Sequence, residues 1–276
     1  MLLKRFISGL LLAIVSFVLI IAGVFTTTLE VWLIAVFGVS EFYQLSLRKK
    51  IRPSKITGFL AVTFIVLSTY YSSERDIIYL LAGLLIYTMV VFLFRKDFHI
   101  SIFLDAGVTW LGFLYVGWLL SFMIILRKIP GAFHFYNFTL DWGAGLVIFL
   151  VLGTCSYDIG AYLVGRLIGR TKLFPQVSPG KTVEGAMGGL LASLLISWWF
   201  GKFLGLPVLH IVILSVIMSA GGQLGDLWES ALKRDVNSKD SGNIIIGHGG
   251  VLDRFDSIIF TAPLVYIYLR LFVLQL

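Results

Sequence analysis

A chain of 276 residues that is 58% hydrophobic and only 13% charged is too apolar for a water-soluble domain, in which roughly a quarter of residues carry charge. Its net charge of +7 does not indicate nucleic acid, because the basic residues sit in short clusters between apolar runs, the pattern of topology signals and anionic-lipid contact. A lone cysteine, Cys155, and four histidines exclude an intrachain disulfide, a cysteine-based metal site and a histidine-rich one.

Apolar stretches of about 17 to 25 residues read as membrane-spanning helices. Nine follow one another, at 6–25, 29–47, 56–72, 76–94, 100–126, 142–168, 183–205, 207–231 and 254–275. The first, preceded by Lys4 and Arg5, has the flank of a signal peptide but exceeds the roughly 7 to 15 residues of a cleavable core, so it is expected to stay as a span. The stretch 142–168 is longer than a bilayer needs and must tilt, kink or project beyond it. With the amino terminus inside, 17 Lys and Arg fall on the cytoplasmic side and five outside, as the positive-inside rule requires. The expectation is an all-α, polytopic integral membrane protein of about nine spans in a bacterial-type inner or plasma membrane, with its amino terminus cytoplasmic. Residues 1–140 read as membrane helices alone, about five of them. Residues 141–276 read as a second membrane region, about four spans with polar cytoplasmic loops at 165–182 and 232–253, and it is here that catalytic residues are sought.

A carboxylate at membrane depth needs a partner, a proton or a cation. Glu41 and Asp105 stand alone in apolar spans and are expected to bond between helices. Asp158, Glu184, Asp226, Glu229, Asp253 and Asp256 instead recur near one leaflet. Asp158 precedes Arg166 by eight residues, about 12 Å along a helix. Asp226 and Glu229 share a helix face at a spacing of three, and Asp253 and Asp256 repeat it. Converging acids repel unless a cation neutralises them, and Mg2+ is commonly held by one or two carboxylates together with substrate phosphates. Lys181, Lys233, Arg234, Lys239 and Arg254 supply charge for phosphate, and Gly247–Gly250 allows close backbone approach. The GKT at 180–182 is no P-loop, since Pro175 stands where that motif needs glycine. Gly165, Gly169, Gly185, Gly188 and Gly189 read as helix-packing glycines.

The stretch 230–256, SALKRDVNSKDSGNIIIGHGGVLDRFD, resembles the signature of the phosphatidate cytidylyltransferase family, with Ser230, Lys233, Arg234, Lys239, Asp240, His248, Gly249, Gly250, Asp253, Arg254 and Asp256 in register. SYDIGAY at 156–162, SPGKTVEG at 178–185 and GDLWES at 225–230 resemble further family segments. The resemblance covers about the last 120 residues. Ile246 and Gly180 depart from the family's usual Pro and Lys, which loosens the turn before His248 and leaves Lys181 to carry the phosphate contact.

The resemblance implies that CTP and phosphatidate give CDP-diacylglycerol and pyrophosphate, with one or two divalent cations such as Mg2+ and room for a monovalent one. Asp226, Asp253 and Asp256 are then the expected metal ligands, with Asp158 and Glu229 as ligands or their partners. Lys233, Arg234, Lys239 and Arg254, beside Asp240, are expected to hold phosphates, and Ser178, Lys181 and Thr182 to form a second phosphate wall. His248 is expected to orient a phosphate or an aspartate, with proton donation to pyrophosphate as its alternative. Glu184, Ser230, Gly249 and Gly250 fall among the expected substrate-binding positions, and Tyr162 is expected to stack on cytosine. Membrane lipids are the other expected partner, and the packing glycines permit a homodimer. The rival readings are a secondary transporter and another CTP-using lipid enzyme such as a polyprenol kinase.

Overall fold

The structure is a computed structural model describing residues 2–72, 74–95, 101–242 and 249–274. Among the described residues, the helices run α1 (Leu2–Ala22), α2 (Val24–Leu47), α3 (Lys55–Tyr71), α4 (Glu74–Leu93), α5 (Ile102–Gly112), α6 (Leu119–Lys128), α7 (Trp142–Ile168), α8 (Val183–Gly201), α9 (Val208–Asp235) and α10 (Leu252–Phe272). A π-helical turn, Phe113–Trp118, joins α5 and α6 into one rod. Among the described residues, seven helical segments are long and apolar enough to cross a membrane. The first and third expected spans coincide with α1 and with the shorter apolar helix Lys55–Tyr71.

The chain is an integral membrane protein, and its surface fits that medium. Phe103, Leu167, Leu191 and Ile86 are all more than half exposed, which only a hydrocarbon solvent makes favourable. Leu146, Val147, Phe149 and Leu150 of α7 are buried and share one hydrophobic core with Leu214 and Met218 of α9 and Ile259 and Val265 of α10. Glycines let the backbones approach. A Cβ on Gly189 would lie 2.7 Å from the Tyr157 carbonyl oxygen, and one on Gly185 2.8 Å from that of Ala161. The packing glycines therefore join α7 to α8 within the chain and provide no argument for a homodimer.

Two short hairpins depart from the purely helical expectation. β1 (Ala132–Phe135) pairs with β2 (Phe138–Asp141) before α7, and β3 (Lys172–Phe174) pairs with β4 (Ser178–Thr182) after it. Strands of three to five residues in polar loops are too short for alternation to show in sequence. The hairpins mark opposite ends of α7. At the β1–β2 end, Arg127 pairs with Asp141 (2.9 Å) and donates to the Ile20 carbonyl (2.9 Å), while Lys128 reaches the Thr69 and Tyr70 carbonyls. At the other end Lys49 pairs with Asp235, and Asp105 accepts from the Arg52 N–H (2.7 Å) and Arg95 (3.4 Å). Asp105 thus ties α5 to the α2–α3 connection and to the residues just past α4, rather than bonding directly between two helices.

Candidate active site

The acids and bases singled out from the sequence collect at the β3–β4 end of the bundle. Helical spacing puts Asp226, Glu229, Ser230 and Lys233 along one side of the last turns of α9. Gly225 and Gly222 bring α10 against that side. A Cβ on Gly225 would collide with the Asp256 carbonyl, and the Ser257 hydroxyl donates to the Gly222 carbonyl (3.2 Å). Asp158 enters from α7. Lys181 enters from β4.

These side chains form a strip of alternating charge. Lys181 pairs with Asp226 (2.7 Å), which also accepts from the Ser230 hydroxyl (3.2 Å). Farther along α9, Lys233 is held between Glu229 and Asp253, the latter at 2.6 Å. The second Asp253 oxygen accepts from the Ser241 N–H (3.1 Å), the Ser241 hydroxyl (2.9 Å) and the Gly250 N–H (2.9 Å). Asp158, Asp226 and Asp256 lie within one another's field, with Lys181 and Lys233 as the nearby cations. Asp256 is only 8% exposed. Three carboxylates drawn together from three helices leave negative charge that two shared lysines do not balance.

A model of the cytidylyltransferase family matches residues 3–272. The chain belongs to the cytidylyltransferase family. It is similar to proteins named phosphatidate cytidylyltransferase from Bacillus subtilis (strain 168), 35% identical over 279 residues covering 98% of each chain, and Synechocystis sp., 33% identical over 287 residues covering 97% of this chain and 96% of that one. A protein of the same name from Staphylococcus haemolyticus is 33% identical over 271 residues, covering 96% and 98%. The likeness extends through the first 140 residues, where sequence motifs offered only membrane helices.

Within this cytidylyltransferase fold the five expected metal ligands divide. Asp158, Asp226 and Asp256 form the acid-rich end of the strip, whereas Glu229 and Asp253 are engaged with Lys233. Among the described residues, no three His, Cys, Asp or Glu side chains are grouped so that they could hold a metal ion by themselves. A hard cation taking one or two carboxylates, with phosphate oxygens and water for the rest, still fits the first group, because all its donors are oxygen and it is under-neutralised.

The remaining expected positions are spread more widely. Glu184, expected near substrate, accepts from the backbone N–H groups of Arg170 (3.0 Å) and Thr171 (3.1 Å). That bonding fixes the exit of α7, so its carboxylate is engaged by protein rather than offered to phosphate. The Thr182 hydroxyl accepts from the Gly185 N–H (3.1 Å) and caps α8, while Ser178 lies at the far end of β4. Tyr162 is exposed and its hydroxyl accepts from Arg166 (2.9 Å). Arg234 and Arg254 lie on exposed sides of their helices, and Lys239 and Asp240 line a cavity of about 140 Å3 with Arg48, Ser238 and Gly242. Gly249, at φ +83°, makes the turn before α10 in the left-handed region that glycine favours. The buried Gly250 offers its N–H to Asp253. His248 and Ile246 lie outside the described residues.

One residue was not placed in the site by sequence. Glu41 of α2 is fully buried, and it accepts from the Val251 N–H (3.0 Å) and the Leu252 N–H (2.9 Å), with the Ser241 hydroxyl 3.2 Å away and its single proton shared with the nearer Asp253. The available signal was a carboxylate at membrane depth. Its partners lie 200 or more positions away in sequence, and no local pattern announces them.

Proposed function

We propose that the chain transfers the cytidylyl group of CTP to phosphatidate, releasing pyrophosphate and forming CDP-diacylglycerol, at the cytoplasmic face of the membrane. The observation that carries this reading is the strip of Lys181, Asp226, Lys233, Glu229 and Asp253, flanked by Asp158 and Asp256, at one end of a lipid-embedded bundle in a chain that matches cytidylyltransferases over nearly its whole length. A lipid phosphate approaches from the bilayer and a nucleotide from water, so a site for both belongs at their boundary.

In the reaction, an oxygen of the phosphatidate phosphate attacks the α-phosphorus of CTP. The bond from that phosphorus to the oxygen bridging to the β-phosphate breaks, and its electron pair leaves with pyrophosphate. The attacking oxygen is already ionised near neutral pH, so no general base is required. The protein's task is positioning and charge neutralisation. Lys181 and Lys233 offer point charges, and Arg234 and Arg254 offer planar forks for phosphate oxygens. Lys239 supports them from the adjoining cavity. One or two of Asp226, Asp256 and Asp158, together with phosphate oxygens and water, would hold Mg2+, which when bound would supply positive charge against the phosphate oxygens and the departing pyrophosphate.

The test is direct. Detergent-solubilised protein is incubated with labelled CTP and phosphatidate, first after chelation and then after Mg2+ is restored. Magnesium-dependent formation of CDP-diacylglycerol with pyrophosphate in equal amount is expected. Transfer of the γ-phosphate to a lipid alcohol would replace this reading with a lipid kinase, and no turnover with either lipid would end it.

A further inference from the structure

We infer that Glu41, on α2, is a positioning residue of the active site. Its carboxylate buckles the start of α10 and the Ser241 segment into the arrangement that fixes Asp253 and Asp256. The inference rests on the cytidylyl-transfer reading and extends it to a helix that carries none of the expected site residues.

The first N–H groups of any helix lack partners inside it, and α10 has no local side-chain cap at Val251. The start of α10 is nonetheless satisfied, from a distance. The Val251 N–H donates to Glu41 Oε1 and the Leu252 N–H to Glu41 Oε2, while the Gly250 N–H donates to Asp253. Glu41 thus acts as a cap supplied by another helix, with its negative charge at the positive end of the α10 dipole. Glu41 is 0% exposed, so these bonds are shielded from competing water and hold their geometry.

The connection to the reacting groups is short. The Ser241 hydroxyl lies 3.2 Å from Glu41 and 2.9 Å from Asp253. Asp253 in turn holds Lys233 at 2.6 Å. Glycines clear the space on both sides. A Cβ on Gly250 would collide with the Ser241 hydroxyl and stand against Glu41, and one on Gly242 would meet Glu41 as well. Asp256 lies one turn beyond Asp253, so a shift at the start of α10 moves both acids together.

Glutamine is the informative substitution. Two carboxylate oxygens accept from two different backbone N–H groups, whereas an amide has one oxygen and must turn its NH2 towards the other N–H. Purified Glu41→Gln and Ser241→Ala are compared with wild type in phosphatidate micelles, measuring kcat and both KM values. Deuterium uptake is followed across the whole chain in the absence of substrates. The expected result for Glu41→Gln is a kcat lower by about 100-fold, the scale of a misplacement near 1 Å, with KM for CTP and phosphatidate within about threefold. Faster deuterium uptake is expected to be confined to the peptide covering 249–256.

Ser241→Ala is expected to lose about tenfold in kcat, the worth of one hydrogen bond to a charged group. Wild-type kcat in either well-folded variant overturns the inference. So does a loss accompanied by faster uptake throughout the bundle, which marks a general structural role. If Glu41→Gln fails to fold, Ser241→Ala decides alone. Failure of the wild-type protein to make CDP-diacylglycerol counts against the proposed function instead, and leaves the exchange result to judge the capping geometry.

Discussion

Lys233 is held between Glu229 and Asp253, and both of its partners are nearly buried, at 1% and 10% side-chain exposure. Asp253→Asn leaves Lys233 paired with Glu229, so the protein is expected to insert and fold. The substitution removes one of the two charges that oppose Lys233 and weakens the acceptor for Ser241 and Gly250. A fall in kcat of at least about 100-fold is expected, the usual cost of disturbing preorganised electrostatics, and near wild-type turnover with Mg2+ would remove Asp253 from the machinery. Lys181→Ala tests the other end of the strip. Asp226 then loses its pair, and if Lys181 moves to a substrate phosphate when CTP arrives, KM for CTP rises about tenfold, close to the worth of one charge-assisted bond. Initial rates against CTP concentration measure this. The identities of these residues were visible in the sequence because acid and base recur at helical spacing near a membrane boundary. Their pairing was not, since a carboxylate that binds metal and one that binds lysine read alike. Glu184 makes the same point, because its two backbone donors come from a turn whose geometry no spacing reveals.

At the scale of elements, α7 and α8 set where Asp158 and Lys181 stand. Gly189 has no room for a side chain, since even a Cβ there would lie 2.7 Å from the Tyr157 carbonyl oxygen and 2.8 Å from its ring. Gly189→Leu must therefore wedge the helices apart at a point one residue from Asp158. A stability loss of about 1–3 kcal/mol is expected from such overpacking, read as a lower melting temperature in detergent, with activity falling further than stability alone explains. Gly180→Lys is the contrasting change, because a Cβ there meets nothing within 4 Å. Unchanged melting is expected for that variant. Hydropathy located the helices to within several residues, with 207–231 realised as Val208–Asp235 and 254–275 as Leu252–Phe272. It missed the hairpins, whose paired strands are too short to leave a periodic trace. The π-turn at Phe113–Trp118 was equally invisible, since it sits inside an apolar run that a regular helix would satisfy as well.

For the whole molecule, orientation rests on charge distribution and is tested through the two hairpin turns. α7 has 27 residues, about 40 Å at 1.5 Å per residue, which exceeds a hydrocarbon core of roughly 30 Å. A helix of that length that spans the bilayer places its two ends in opposite aqueous phases. The β1–β2 turn and the β3–β4 turn carry exposed Asn137 and Gln176 respectively, neither of them among the site residues. In a Cys155→Ser background, Gln176→Cys is expected to react with a membrane-impermeant thiol reagent only from the cytoplasmic side, and Asn137→Cys only from the opposite side. Lys49 and Asp235 pair at the site end, as do Arg95 and Asp105, so the Gln176 result assigns a side to the whole acidic strip. Labelling of Gln176→Cys from outside would reverse the positive-inside assignment and separate the site from the cytoplasmic pool of CTP. Labelling of both positions from one side would show that α7 does not span the bilayer, and the boundary between lipid and nucleotide on which the proposed reaction depends would then lie elsewhere.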